Sequence, residues 1–164
     1  MMWLLVPGGV ILLCGIGVLL IPKTTSTTQV IRFEAEIDDV WKVYTTPEEQ
    51  KHWRADVGEI VMSEDGQSWS ETLEASGMTI NFRIVEKSRP ETFILETGSP
   101  GSFEGSYVAK FSQDGDTTIG TFTETATTIG VLPRIMRFLF FNQKKFIHAY
   151  ADAVKLELHR RNKI

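Results

Sequence analysis

The C-terminal stretch 133–161 constrains the fold more than any other part of the chain, because it predicts one long amphipathic helix. Pro133 suits a first helical turn, where its missing N–H group is not needed, and neither Gly nor Pro follows it up to residue 161. Apolar side chains recur at helical spacing, among them Ile135, Leu139, Phe146, Tyr150 and Val154. A helix this long with so broad an apolar face needs a wide partner surface.

Strand-like segments between residues 29 and 128 can supply that surface. Residues 29–37 alternate, with Ile31 and Phe33 on one face and Arg32 on the other, which is typical of a half-buried strand. Two short helical segments follow, and then about six strands separated by turns such as Asp65-Gly66. Consecutive hairpins imply an antiparallel sheet with one face solvated and the other covering the helix.

The N-terminal residues 1–21 carry no charged side chain, and roughly twenty apolar residues are enough to cross a bilayer. A cleaved signal peptide is the alternative, but no basic residue precedes the run and no A-x-A site follows it. We predict residues 1–22 as a transmembrane anchor, residues 23–28 as a linker and residues 29–164 as the folded domain. Lys23 and Arg32 follow the run, which favours a single-pass protein with a cytoplasmic domain.

Composition and charge exclude several classes of function. The chain has 164 residues and a formal net charge of -4, which leaves room for one domain and argues against general nucleic-acid binding. Cys14 is the only cysteine and the three histidines lack metal-ligand spacing, so we expect no disulfide, no metal and no cofactor. Four basic residues have two interpretations, contact with anionic lipid or the solvated side of a helix: Arg134, Arg137, Lys144 and Lys145.

Residues 37–53, IDDVWKVYTTPEEQKHW, have an acidic residue before Val-Trp and a Thr-Pro turn that leads to Trp53. This segment resembles the strand-to-helix entry of the SRPBCC superfamily, whose START-like members include polyketide cyclase/dehydrase-like and lipid-transport proteins. The resemblance covers roughly residue 28 to the C terminus. It implies an α+β helix-grip fold, in which an antiparallel seven-stranded sheet holds the C-terminal helix and leaves a cavity for an apolar ligand. The membrane anchor would be an addition to that pattern.

Alternation also assigns the side chains that face the helix. If Phe82 points inwards, the neighbouring strands turn Glu71 and Glu124 inwards as well, whereas a register slip of one residue would put both outside. A carboxylate in an apolar cavity is costly unless paired or protonated, so both are candidates for orienting a polar ligand group or for acid–base chemistry. The predicted pocket-lining residues are Trp69, Glu71, Leu73, Ile80, Phe82, Ile84, Phe93, Leu95, Tyr107, Phe122, Glu124, Phe146 and Tyr150.

Three functions fit this pattern. The first is a membrane-anchored domain that binds a small hydrophobic molecule or lipid between sheet and helix. The second is a cyclase/dehydratase-type enzyme that uses inward Glu or Tyr groups as acid and base. The third is a ligand-free interaction domain whose interior is filled by its own side chains. No Ser/His/Asp or Cys/His constellation is recognisable, so the sequence favours binding over catalysis.

Overall fold

A computed structural model describes residues 21–163 of the chain. The predicted membrane anchor, residues 1–22, lies outside the described residues except for its last two. Within the described range, no helix is both long and apolar enough to span a membrane.

The described residues form a single antiparallel sheet with helices after β1 and after β7. In chain order the elements are β1 (Thr24–Phe33), α1 (Ile37–Tyr44), α2 (Pro47–Gln50), β2 (Val57–Met62), β3 (Ser68–Leu73), β4 (Thr79–Ser88), β5 (Thr92–Ser99), β6 (Phe103–Asp114), β7 (Thr117–Thr128), α3 (Val131–Phe140) and α4 (Gln143–Arg161). The strand order is β1-β7-β6-β5-β4-β3-β2. The predicted α+β fold, a seven-stranded antiparallel sheet with a C-terminal helix on one face, is confirmed.

The first strand begins earlier than predicted, so residues 24–28 belong to β1 and are not a linker. Thr24 lies opposite Thr127, and Thr28 lies opposite Thr123. The facing hydroxyl oxygens of these two pairs are 2.8 and 2.9 Å apart. Threonine is branched at Cβ and favours strands, so the polar composition that suggested a linker belongs to a cross-strand ladder.

The predicted single helix 133–161 is two helices, because the chain leaves the helical path at Phe141 and Asn142. Phe141 has extended dihedral angles, φ -110° and ψ 126°. The Asn142 side chain then caps α4 by accepting a hydrogen bond from the Lys145 backbone N–H, with N and Oδ1 3.0 Å apart. No residue of α3 is buried, so only α4 takes the role predicted for the whole stretch.

The core lies between the helices α1 and α4 and the half of the sheet formed by β1, β7 and β6. Phe33 and Phe122 are fully buried and meet edge to face, with ring centroids 6.1 Å apart. Phe146 was predicted to face the sheet, but it is half-buried beside Phe141. Ile147 occupies the core-facing position. Phe146 comes one residue earlier, so its side chain points about 100° away from that of Ile147 around the helix axis.

Candidate functional site

Strand alternation turns both predicted carboxylates towards the helix side of the sheet. Glu71 of β3 is buried beside Trp69, and Glu124 of β7 is half-buried between Phe122 and Ala126. Five of the predicted pocket residues are buried, namely Trp69, Glu71, Phe93, Leu95 and Phe122, and the others are half-buried, namely Leu73, Ile80, Phe82, Ile84, Tyr107, Glu124, Phe146 and Tyr150.

Glu71 belongs to a closed ionic group that we call the Arg54 cluster, made of Gln50, Arg54, Asp56, Trp69 and Glu71. Arg54 Nη1 donates to Glu71 Oε2 at 2.8 Å and to Gln50 Oε1 at 3.0 Å. Arg54 Nε and Nη2 donate to the Asp56 carboxylate at 3.2 and 2.8 Å, and Trp69 Nε1 donates to Glu71 Oε1 at 3.0 Å. Both oxygens of Glu71 are therefore paired, which is the condition under which a buried carboxylate is not costly.

The Arg54 guanidinium at the centre of the Arg54 cluster is held in its charged form. The side chains of Arg54 and Glu71 are each only 4% exposed. Burial opposes the positive charge of Arg54, but hydrogen bonds to Asp56 and the charge of Glu71 more than offset it, so the pKa of Arg54 lies above its usual value. A buried ion pair with its hydrogen bonds complete is a structural unit rather than an open binding site.

Glu124 lies in a second group, whose hydrogen bonding is incomplete. We call it the Glu124 cluster: Tyr44, Tyr107, Glu124 and Gln143. Tyr107 is the direct cross-strand neighbour of Glu124, and Tyr44 and Tyr107 both stack on Phe122, at 5.1 and 6.2 Å. Four buried atoms make no hydrogen bond of good geometry within the described residues: Tyr44 Oη, Tyr107 Oη, Glu124 Oε2 and Gln143 Nε2. Buried polar atoms in folded proteins are nearly always paired, so this concentration marks a candidate binding site.

Gln143 enters the cluster because Asn142 starts the new helix immediately before it. The Thr27 hydroxyl donates to Gln143 Oε1 at 3.4 Å, which leaves the amide nitrogen for the interior. An amide nitrogen only donates. The break between α3 and α4 therefore delivers a hydrogen-bond donor to the same place as the unpaired carboxyl group.

The pKa values define what the Glu124 cluster can offer a ligand. Burial raises the pKa of Glu124 to about 7, and hydrogen bonding by the Gln143 side chain opposes part of that rise. Near neutral pH the carboxyl group is thus divided between a protonated donor and an ionised acceptor. Burial also raises the pKa of Tyr44 and of Tyr107, and hydrogen bonding between the two hydroxyls adds to the rise at Tyr44 and opposes it at Tyr107. Both phenols therefore remain protonated and able to donate.

Tyr150 of α4 lies between the two clusters. The Arg54 guanidinium carbon is 5.0 Å from the centroid of the Tyr150 ring, and that ring meets Tyr44 edge to face at 5.0 Å. Trp53 packs against the same ring at 6.3 Å, and its buried Nε1 has no hydrogen-bond partner among the described residues. Tyr150 therefore links the paired cluster to the unpaired one, and Trp53 adds a further donor nearby.

A cross-strand row leads from the Glu124 cluster to a partly open apolar surface. Glu124 pairs with Tyr107, Tyr107 with Leu95, and Leu95 with Ile84. Neighbouring strands are about 4.8 Å apart, so this row spans roughly 14 Å. It ends at the half-open face, a set of half-buried side chains on β2 to β4: Ile60, Met62, Ile80, Phe82 and Ile84. A polar site and an apolar surface thus lie on one line across the sheet.

Three of the predicted pocket residues, Leu73, Phe93 and Phe146, do not belong to this arrangement, and Leu73 instead lies opposite Val57 of β2. Phe93 packs against Trp41 at 6.2 Å on the side of α1, and Phe146 lies at the corner between α3 and α4. Sequence reasoning in turn missed Tyr44, Arg54 and Gln143. Asn142 is a recognisable helix-start signal that would have placed Gln143, but Arg54 lies in a short irregular segment with no periodicity to orient it.

Known proteins resemble this chain in fold and not in sequence. No protein-family model matches the chain, and no curated protein matches it in sequence. A conserved protein from Geobacillus kaustophilus superposes with a TM-score of 0.71 at 15% identity, covering 83% of this chain and 96% of the other. The Zhui aromatase/cyclase from Streptomyces sp. R1128 gives 0.71 at 16% identity, covering 84% and 95%.

A plant enzyme has the same architecture. Norcoclaurine synthase from Thalictrum flavum, solved with dopamine and hydroxybenzaldehyde, gives a TM-score of 0.66 at 13% identity, covering 84% of this chain and 87% of the other. At such low identity these likenesses establish the helix-grip fold, as expected from the resemblance in residues 37–53.

Proposed function

We propose that this domain binds a small, mostly apolar molecule that carries a hydrogen-bond acceptor such as a carbonyl oxygen. The observation that carries the proposal is the Glu124 cluster, with its four unpaired buried atoms. Gln143 Nε2 and the two tyrosine hydroxyls can donate, and so can Glu124 when protonated. A single ligand oxygen held by such donors would relieve the cost of leaving them unpaired.

The apolar part of the ligand would extend along the cross-strand row towards the half-open face. That face leaves Phe82 and Ile84 only half-buried, and burying them against a ligand is favourable by about 25 cal/mol per Å². Beneath α4 the interior is occupied by aromatic rings, among them Tyr44, Phe122 and Tyr150, and neither the surface groove at Trp41 and Lys87 nor the one at Phe82 and Glu96 includes a residue of α4. Entry therefore requires side-chain movement near Tyr150.

A fluorescent naphthyl ketone tests the binding proposal. Prodan has an apolar body and one carbonyl oxygen, and its emission responds to hydrogen bonding. A truncated protein of residues 22–164 keeps β1 and every residue of the buried core cluster, and mass spectrometry of this protein would also detect co-purified molecules. We expect saturable Prodan binding that weakens in Glu124→Ala and Tyr107→Phe. Glu104→Gln, on the exposed face of β6, is the matched control. A protein that binds neither Prodan nor a co-purified molecule would support the third function, an interaction domain.

A catalytic function is the second candidate, because a carboxyl group with a pKa of about 7 suits proton transfer at neutral pH. Two of the structural neighbours are named as an aromatase/cyclase and a synthase. If Glu124 removes a proton next to the bound carbonyl, the protein should accelerate deuterium exchange at that carbon of Prodan in heavy water. Glu124→Gln should abolish the exchange. Binding without exchange would leave the domain as a binding module.

We also propose that residues 1–22 anchor the domain in a membrane, with the domain on the cytoplasmic side. The support is the uncharged sequence that ends at Pro22, directly before Lys23 and β1. The full-length protein should then stay with membranes after alkaline carbonate treatment, and a protease added outside intact cells should not cleave the domain. Release of full-length protein by carbonate would contradict the anchor.

A further inference from the structure

The helix α3 turns its apolar side away from the protein. Six of its large apolar side chains are 49–75% exposed, namely Val131, Leu132, Met136, Phe138, Leu139 and Phe140, whereas Ile135 is half-buried. None of its residues is buried. A helix on a water-exposed surface normally places this face against the core, and a contiguous exposed apolar patch of this kind marks an interaction site.

The polar side of α3 faces the domain instead. Arg137 Nη1 donates to Thr25 Oγ1 at 2.6 Å and to the Ala126 carbonyl at 3.3 Å. Its Nη2 donates to the Pro22 carbonyl at 2.5 Å. These contacts fix the orientation of the helix, so the exposure of its apolar face is a consequence of how α3 is attached.

The same contacts place α3 at the end of the uncharged N-terminal run. Pro22 ends that run, and the Thr128 N–H donates to the Lys23 carbonyl at 2.9 Å. Residues 1–21 would be about 32 Å long as a helix, which matches the hydrocarbon core of a bilayer. A segment that spans the bilayer would hold α3 at its surface.

The charges around α3 suit an anionic surface. Residues 125–151 contain no Asp or Glu, although the whole chain has a net charge of -4. Lys23, Lys144 and Lys145 are exposed at this end of the domain. Basic residues next to a membrane are attracted to anionic lipid head groups by about 1 kcal/mol each.

We propose that α3 lies in the head-group region of an anionic bilayer, with its apolar side chains at the acyl boundary and the three lysines at the head groups. The helix has ten residues, too few to cross, so it lies in the plane of the interface. This inference rests on the proposed anchor. An anionic bilayer explains both the apolar face of α3 and the lysines beside it. Residues 1–20 packed over α3 would cover the apolar face, but this uncharged segment would offer the lysines no negative charge.

Site-directed spin labelling of the full-length protein in vesicles of phosphatidylcholine and phosphatidylglycerol tests the proposal. One label is attached at Leu139→Cys in a Cys14→Ser background. The matched control is Leu156→Cys in the same background, since Leu156 of α4 is also apolar and 69% exposed. A third sample carries the label on native Cys14 and reports on the anchor. The measurement compares collisions with oxygen, which partitions into lipid, and with a water-soluble nickel chelate.

We expect the oxygen-to-nickel collision ratio to be severalfold higher at position 139 than at position 156. Equal ratios at the two positions, with the Cys14 label in lipid, would overturn the interfacial placement and leave the anchor intact. A Cys14 label in water would overturn both. Two further results would also overturn it: shielding of position 139 from both reagents, which means a protein cover, and spin–spin broadening at 139, which means contact with a second copy.

Discussion

Two carboxylates on the same face of the sheet, one on β3 and one on β7 towards the opposite edge, differ in how their oxygens are paired. Glu71 has both oxygens paired within the Arg54 cluster. Glu124 has an oxygen that makes no hydrogen bond of good geometry within the described residues, in a cluster where three other polar atoms share that state. Inward position alone therefore does not identify a binding group, since pairing separates the structural carboxylate from the available one.

The difference arises from the local chain around each glutamate. The segment between α2 and β2 brings Arg54 and Asp56 to Glu71, which forms a charged group with complete partners. Around Glu124 the neighbours are Tyr107, Phe122 and Gln143, which carry no charge, so ionisation has no counter-ion there. Substitutions in the Arg54 cluster should therefore destabilise the fold. Substitutions in the Glu124 cluster should alter ligand binding and the pH dependence of stability.

The largest effect should follow removal of the buried cation. Arg54→Met leaves Glu71 buried without its ionic partner, and such a loss destabilises by about 3–5 kcal/mol. Urea unfolding of the 22–164 protein measures this. Arg83→Met is the control, because the Arg83–Glu96 pair is exposed on both sides and such pairs contribute at most about 1 kcal/mol. Equal losses in both variants would remove the distinction between the clusters.

A smaller effect, with a definite pH dependence, should follow removal of the unpaired carboxylate. The pKa of Glu124 is raised from 4.5 to about 7, so the folded state holds a proton that the unfolded state releases between these values. Stability therefore falls as pH rises from about 4.5 to 7, by up to about 3 kcal/mol. Glu124→Gln should remove that fall, and the variant should be more stable than the parent at about pH 8.

The stability of the two proteins at low pH serves as a control for this prediction. Below about pH 4.5 the Glu124 carboxyl is protonated in both states, so Glu124→Gln and the parent should have similar stability there. Glu104→Gln, on the solvent side of β6, should follow the parent throughout. A parallel shift of the Glu124→Gln curve at every pH would mean that the substitution acts through packing and not through ionisation.

The smallest effect on stability should come from Tyr107→Phe. The hydroxyl removed makes no hydrogen bond of good geometry within the described residues, so unfolding free energy should change by less than about 1 kcal/mol. Prodan affinity should nevertheless fall by about tenfold, the equivalent of one hydrogen bond of about 1.4 kcal/mol. A large loss of stability with unchanged affinity would assign Tyr107 to the core instead of the site.

Local patterns predicted the sheet and its register well. Alternation in β3 and β7 put Glu71 and Glu124 on the inner face because successive side chains of a strand point to opposite sides. Turn dipeptides such as Asp65-Gly66 marked strand ends for a similar reason, since their conformational preferences act over a few residues. The segment 24–28 was misassigned because threonines suit both exposed loops and strands, and only pairing with β7 decides between them.

Features that depend on contacts distant in sequence were beyond local patterns. Arg54 reaches Glu71 across 17 positions from a segment without periodicity, so nothing local identified it as the partner. The break at Phe141 has no Gly or Pro to mark it, and Asn142 is the only local sign. The unpaired state of the Glu124 cluster depends on where α4 lies over the sheet, which is a tertiary property.

NMR titration of the Glu124 side-chain carboxyl carbon shows whether this group is buried and available to a ligand. Its signal is identified by its loss in Glu124→Gln, and the titration is repeated with Prodan present. We expect a midpoint near pH 7, moved higher by Prodan because a carbonyl oxygen accepts a hydrogen bond from the protonated form. A midpoint near 4.5, unchanged by Prodan, would contradict the claim that Glu124 is a buried, unpaired group in a binding site.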